Sequence, residues 1–256
     1  MAKQEKSLKK ILPKLTNSNY YDRESDLAYM SVSQFKSFLN CEARTMAKLR
    51  GEYEEETSTA LLFGSYVDSA IEGTLDEFKA QNPQIFKKNG ELYSEYAKAE
   101  EIVQLIKNNA LFQQFLSGEK QVILTFELFG VWWKIKMDSF VRDICITDLK
   151  TARNTEGIVK WRYDFQGAIY QKGVELNRLG KLPFYLAVAT KEDVPDLNIF
   201  QIPQSTLDLA LMEVGELIVH IIEVKSGKVE PTRCEKCDYC KKTRTVRIRN
   251  YNELLN

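Results

Sequence analysis

Asp138, Asp148 and Lys150 are the residues whose types and spacing first suggest chemistry. They lie in VWWKIKMDSFVRDICITDLKT, residues 131–151, where two apolar runs each end near a carboxylate and a lysine follows the second carboxylate by two positions. Residues i and i+2 of a strand project to the same face. Asp148 and Lys150 therefore point together, and an antiparallel neighbour can bring Asp138 beside them. Two carboxylates and an ammonium on one sheet face suit a hard divalent cation and an activated water. An isolated Asp-x-Lys is commonplace, and its bland reading is a strand end ringed by solvated charge. Its weight here comes from the apolar strand that carries it, with Ile144, Ile146 and Leu149.

A second group is sulfur-based. Of the five cysteines, Cys234, Cys237 and Cys240 fall within seven residues. Three thiolates on a short loop could hold one side of a tetrahedral zinc or an iron–sulfur cluster, and either needs a fourth ligand. Cys41 is the natural candidate, and free thiols are the remaining reading. A disulfide framework is not expected in a cytosolic chain of this size. Cys145 falls in a core strand and reads as a small apolar residue. The single histidine, His220, lies in an apolar helix and reads as a bystander.

The elements that must position these groups follow from periodicity. Residues 1–30 read as an irregular lead-in with one short helix. Ser31 and Gln34 have capping-box spacing, starting a helix that contains Cys41 and ends at Gly51. Further helices are predicted over 57–72 and 94–116. Three strands follow, 121–129, 131–141 and 144–150, close enough in sequence to form an antiparallel meander. A long helix over 155–179, strands over 184–190 and 198–202, and a helix over 205–224 complete the pattern. This order predicts an α/β fold, a mixed sheet flanked by helices. The expected division is a lead-in at 1–30, a main domain at 31–226, and a cysteine cluster with a basic tail at 227–256 that closes onto the N-terminal helix.

The chain has 256 residues, ample for a core, and 36 Lys and Arg balance 36 Asp and Glu. Global charge therefore announces no polyanion partner. Residues 225–249 nevertheless carry nine Lys and Arg against three Asp and Glu, which suits phosphate contacts and a solvated terminus equally. No run approaches the ~18 apolar residues of a membrane span. The basic N-terminus lacks a long apolar core, so a cytoplasmic location without an export signal is expected.

Asp138, then Asp148-Leu149-Lys150-Thr151 after a strand turn, resembles the signature of the PD-(D/E)XK nucleases, the RecB-like branch in particular. Gln166-Gly167-Ala168-Ile169-Tyr170 fits the Gln-x-x-x-Tyr pattern of that branch, its ends sharing one helix face. Gly64-Ser65-Tyr66-Val67-Asp68 stands where the branch has Gly-x-x-x-His, with Asp68 in place of the histidine ligand; a carboxylate suits a hard cation. Glu127 matches an acidic residue often seen on the first meander strand. The segment from Ser31 to Cys41, with the three late cysteines, is similar to RecB-like nucleases whose ends are clamped by an iron–sulfur staple. Those place more residues between the last two cysteines than the two found here.

From Ser31 to Cys240 the chain looks most like RecE-related exonucleases of phages and prophages. The resemblance implies a restriction-endonuclease-like α/β core and a Mg2+-dependent (or Mn2+-dependent) exodeoxyribonuclease. Such an enzyme degrades linear double-stranded DNA ends, exposing single strands for a single-strand annealing recombinase, and forms a homo-oligomeric ring. It also implies roles: Asp68, Asp138, Asp148 and the Leu149 carbonyl bind the catalytic metal, and Lys150 positions or helps deprotonate the attacking water. Gln166 and Tyr170 orient the scissile backbone, and Cys41, Cys234, Cys237 and Cys240 hold a [4Fe-4S] cluster, with zinc as the alternative. A single-strand-acting repair or CRISPR-type nuclease, and a non-catalytic DNA-binding module on the same fold, are the competing readings. Trp132, Trp133 and Trp161 could stack on bases, but core or sheet-face packing is the expected role.

Overall fold

The breaks between elements, more than the elements, place the functional residues. In the computed structural model the described residues are 12–246, 248, 250 and 252; the first eleven residues and the end of the basic tail lie outside them. After α1 (Arg23–Ala28), Ser31 caps α2 (Val32–Asn40) by accepting the Gln34 amide at 3.1 Å, the first half of the predicted capping box, while the Gln34 side chain instead donates to the Asp26 carbonyl at 2.9 Å. The helix expected to run to Gly51 is two helices. Cys41 takes an extended backbone (φ −168°, ψ 105°) between α2 and α3 (Glu42–Arg50), which turns its side chain out of helical register. Gly51 then ends α3 in the left-handed conformation, where glycine is favoured.

α4 (Thr59–Glu72) starts from the Ser58 cap, and an unanticipated short helix, α5 (Leu75–Gln81), follows it. The predicted helix over 94–116 divides into α6 (Ser94–Asn108) and α7 (Ala110–Phe115). At the junction the Asn109 side chain accepts the Phe112 amide at 2.9 Å, a cap that competes with helical continuation.

β1 (Val122–Leu128) and β2 (Val131–Met137) form a hairpin whose two turn residues, Phe129 and Gly130, both have positive φ, as a type I′ turn requires. The expected three-stranded meander does not continue. The strand predicted over 131–141 breaks at Asp138, leaving β1–β2 as one sheet. β3 (Ser139–Val141) opens a second sheet with β4 (Cys145–Ala152). The physical reason is a contact across the strands: the Asp138 carboxylate accepts the Leu149 amide at 2.9 Å, so a side chain occupies a position in which the ladder would use a backbone carbonyl.

A left-handed Arg162 (φ 49°) delays the next predicted helix, which begins only at α8 (Tyr163–Leu176) after a single 3-10 turn. Ion pairs from Arg162 to Asp164 (2.9 Å) and Glu213 (2.6 Å) hold that backbone in place. β5 (Phe184–Thr190) then lies parallel to β4, and β6 (Leu197–Gln201) antiparallel to β5. α9 (Gln204–Lys225) and α10 (Asp238–Thr243) finish the described fold.

The mixed sheet β3-β4-β5-β6 is covered on both faces. Ile146, Leu186 and Val188 pack with α2, α8 and α9, while Leu149, Ala187 and Ala189 pack with α4 and α6. The alternation is the two-residue period of a strand. Upstream of α2, Met30 pairs with Trp133, its amide reaching Trp132 O at 2.7 Å. Beside it the Lys134 ammonium, 1% exposed, is satisfied by Asp26 (2.6 Å), Ser25 Oγ (2.8 Å) and Tyr20 O (2.5 Å). Among the described residues no helix is long and apolar enough to cross a membrane.

α8 reaches this packing through glycines. A Cβ on Gly173 would sit 2.3 Å from Phe126 Cε1 and 2.9 Å from Ile135 Cδ1. Gly173→Ala should therefore cost about 1–3 kcal/mol by overpacking, outweighing the gain in helix propensity of about 1 kcal/mol. Thermal unfolding should show a lower midpoint than wild type; an unchanged or raised midpoint would contradict this packing.

Candidate active site and cysteine centre

β4 presents Asp148 and Lys150 from one face, as the period of two predicts, and the break at Asp138 turns a second carboxylate towards them. Asp148 is 2% exposed. Its Oδ1 accepts Gln166 Nε2 at 2.6 Å. Its Oδ2 is enclosed and pairs with the Lys150 ammonium. Lys150 Nζ also lies 4.0 Å from Asp138 Oδ2 and donates to the Leu149 carbonyl at 3.1 Å.

α4 brings Asp68 to the same place. Gly64 approaches the end of β4, where its Cβ position lies 3.6 Å from Thr151 Oγ1, and Asp68 follows one turn later. Asp68 and Asp138 line a cavity of about 370 Å³ with Glu72, Lys136 and Tyr21. Burial pushes Asp68 up to about 7; Lys150 opposes the shift, and Glu72 and Asp148 add to it. Burial, then repulsion from Asp148, likewise holds Asp138 well above the usual carboxylate range. Desolvation alone would lower Lys150, but Asp148, Asp138 and Asp68 together keep it protonated well above the usual lysine range.

Gln166 and Tyr170 share a face of α8, and both are committed to protein groups. Gln166 holds Asp148, while the Tyr170 hydroxyl donates to the Lys136 carbonyl at 3.0 Å, fixing β2 just before the break. Tyr170 therefore meets the strand backbone and not the open cleft, because the hairpin β1–β2 lies directly against α8. Glu127 is exposed opposite Trp132 on the two-stranded sheet. Trp133 is core, its indole N–H bonded to Leu128 O at 3.1 Å; Trp132 and Trp161 are exposed.

Several neighbours were not singled out in the sequence. Glu72 lies one helical turn beyond Asp68, a spacing that placed it on the same face. Lys36 carries no such signal. It donates to Trp161 O at 2.9 Å, lies 5.1 Å from the Tyr163 ring centroid, and is lowered to about 8 by burial and by Lys150. Tyr163 in turn faces Lys150 at 5.6 Å.

Chemically, Asp68, Asp138, Asp148 and the Leu149 carbonyl offer oxygen donors of the kind that suits Mg2+ or Mn2+, with the three carboxylates spread more widely than 4.8 Å, so that holding an ion requires them to draw in around it. The fit rests on the donor chemistry, oxygen throughout, and on carboxylates whose ionised forms repel one another and raise the pKa of Asp68 and Asp138. Lys150 supplies positive charge to the same oxygens.

The four predicted thiols do come together. Cys41, Cys234, Cys237 and Cys240 are, among the described residues, the one group of potential ligand residues whose ligand atoms all lie within 4.8 Å of one another, a cluster compatible with a metal site. The extended backbone at Cys41 aims its sulfur at the C-terminal loop. There Cys234 Sγ accepts the amides of Cys237 (3.3 Å) and Lys236 (3.5 Å), and these donors pull Cys234 down to about 6. Beside the cluster, Glu42 receives His220 Nε2 at 2.8 Å and the Thr232 amide at 2.8 Å. His220 is thus part of a latch and not of the metal group. Cys145 is buried in β4, away from the cluster.

The acidic cleft sets a stability signature. Asp68 titrates near 7 in the folded protein against about 3.9 in an unfolded chain. Between those values the folded state binds more protons, so its stability falls as pH rises. In chelating buffer, Asp68→Asn should gain midpoint over wild type progressively from about pH 4 to about pH 7. A difference that stays constant with pH would contradict the placement of Asp68.

A family described as "PDDEXK-like domain of unknown function (DUF3799)" matches residues 31–243. A crystal structure of a "Putative exonuclease" from Eubacterium rectale is 43% identical, covers 94% of this chain and 98% of its own, and superposes with a TM-score of 0.92. The structure of SSO0001 is 15% identical over 81% of this chain and 91% of its own, with a TM-score of 0.33, too loose to argue from. No curated protein matches the chain.

Proposed function

We propose that this chain, which belongs to the PDDEXK-like domain family DUF3799 and has the restriction-endonuclease-like fold of that family, is a divalent-metal-dependent exodeoxyribonuclease acting on linear duplex ends. The observation that carries this reading is the meeting of Asp138, Asp148 and Lys150 at the gap between the two sheets, with the Lys150 ammonium set against both carboxylates. The likeness to the Eubacterium rectale protein supports the exonuclease class.

Asp138, Asp148, Asp68 and the Leu149 carbonyl hold Mg2+ or Mn2+ in this reading. When bound there, the ion supplies charge neutralisation at the scissile phosphate and acidifies water. The remaining work falls to the chain. Gln166 fixes Asp148 through Oδ1, leaving Oδ2 directed at the site. Tyr170 holds the Lys136 carbonyl and so the position of Asp138 two residues later. Lys150 orients the attacking water and offers positive charge as the phosphate becomes more negative. Lys36, which shares the Tyr163 ring with Lys150, adds a second cation for the non-bridging oxygens.

The RecE-like resemblance supports a wider setting: the exposed single strand passes to an annealing recombinase, and the protein works as a homo-oligomeric ring. The same resemblance supports a [4Fe-4S] cluster at the four cysteines; the sulfur spacing favours another metal, as argued below.

Lys150→Ala should lower Mg2+-dependent degradation of linear duplex DNA by about 10²–10³-fold or more, with circular dichroism unchanged. Full activity in that variant would sink the mechanism. Preferential digestion of single-stranded DNA by the wild type would instead favour a repair or CRISPR-type nuclease, and binding without turnover in Mn2+ a non-catalytic module.

A further inference from the structure

The sulfur atoms of the cysteine cluster are too close together for the cluster that the family resemblance suggests. Cys41 Sγ lies 3.6 Å from Cys240 Sγ and 3.8 Å from Cys237 Sγ, and Cys234 Sγ lies 4.0 Å from Cys240 Sγ. All four sulfurs fall within 4.8 Å of one another. A tetrahedral Zn2+ with Zn–S bonds of about 2.3 Å spaces its sulfurs along the tetrahedron's edges, about 3.8 Å apart. In a [4Fe-4S] cube each thiolate binds a different iron and points outward from its own corner. Its sulfurs are separated by an iron–iron edge plus the outward spread of two iron–sulfur bonds, and so stand well beyond the spacing seen here. Disulfide bonding is excluded as well, since bonded sulfurs lie about 2.05 Å apart.

The backbone holds the walls at this narrow spacing. The Ala43 amide donates to Thr232 O at 2.9 Å, two residues from a cysteine on each side. Glu42 Oε2 takes both the Thr232 amide (2.8 Å) and the Thr232 hydroxyl (2.9 Å). On the other wall the Cys240 amide donates to Cys237 Sγ at 3.5 Å, at the first turn of α10. Arg233 bonds the Cys240 carbonyl at 2.8 Å, and Tyr53 packs edge-on against Tyr239 with centroids 5.3 Å apart. Cys41 and Cys240 are buried. A cube would have to part these walls and break the Thr232 contacts, whereas a single ion fits between them as they stand.

We infer that Cys41, Cys234, Cys237 and Cys240 bind one structural Zn2+ ion in a closed tetrahedral site joining α3 to the C-terminal loop. All four positions around the ion are protein thiolates, so the site leaves no place for a substrate or water. It is spectroscopically silent and redox-inert, and it clasps residues on either side of the nuclease core. Because thiolates bind soft metals and the acidic cleft offers only oxygen, the two centres select different ions.

The test is metal content of the full-length protein purified anaerobically from cells supplied with both iron and zinc. The expected result is one zinc per chain, no acid-labile sulfide and no broad visible absorption, with zinc X-ray absorption fitted by four sulfurs at about 2.3 Å. Zinc should persist after anaerobic incubation with excess ferrous iron and sulfide. Asp148→Ala should keep one zinc per chain, which separates this inference from the nuclease reading. Cys41→Ser should lose zinc, with Cys41→His, which restores a fourth ligand, retaining it. Iron and sulfide near four each per chain with a visible band, or a metal-free protein with four titratable thiols, would overturn the inference.

Discussion

Carboxylates crowded into a partly buried cleft repel one another, and much of the molecule is arranged to offset that repulsion. Two unit charges 4 Å apart interact by about 4 kcal/mol at an effective dielectric near 20, a large fraction of a domain's net stability of about 5–15 kcal/mol. Lys150, 4.0 Å from Asp138 and paired with Asp148, contributes attraction of comparable size. The Leu149 amide and Gln166 add hydrogen bonds to the two carboxylates, and Tyr170 fixes the strand that delivers one of them. What remains uncompensated shows in the raised carboxyls of Asp68 and Asp138.

Much of this arrangement could be read from the chain, because it depends on local periodicity. The common face of Asp148 and Lys150, the strand over 184–190 and the turn at Gly130 all follow from short-range rules. Cys41 was paired with the late cysteines by ligand arithmetic alone. The breaks at Cys41, Asn109, Asp138 and Arg162 were not legible, since the apolar pattern continues across each of them. Three of the four are held by distant partners: sulfurs from the C-terminal loop, the Leu149 amide and Glu213. Asn109 alone is a local cap. Lys36 joins the cleft through the docking of α2 against α8, which nothing in its neighbourhood announces, and Tyr170 turned towards the β2 backbone for the same kind of reason.

The two centres sit at different levels of the structure. The acidic cleft is assembled from β2, β4, α4 and α8, elements of the core. The cysteine cluster draws on a single break between α2 and α3 and on the loop before α10. α2 is the shared part: its buried face packs on α8, it carries Lys36 towards the cleft, and its end delivers Cys41. The two sets of donors differ in softness, thiolate at one and carboxylate at the other.

In the proposed reaction the oxygen-lined cleft hydrolyses DNA from its ends with a divalent ion. The most direct measurement compares end-labelled linear duplex with closed circular duplex of the same sequence, each with and without Mg2+. The account predicts Mg2+-dependent release of terminal nucleotides from the linear molecule and none from the circle. Binding of linear DNA without any release in Mg2+ or Mn2+, or equal cutting of the circle, would contradict it.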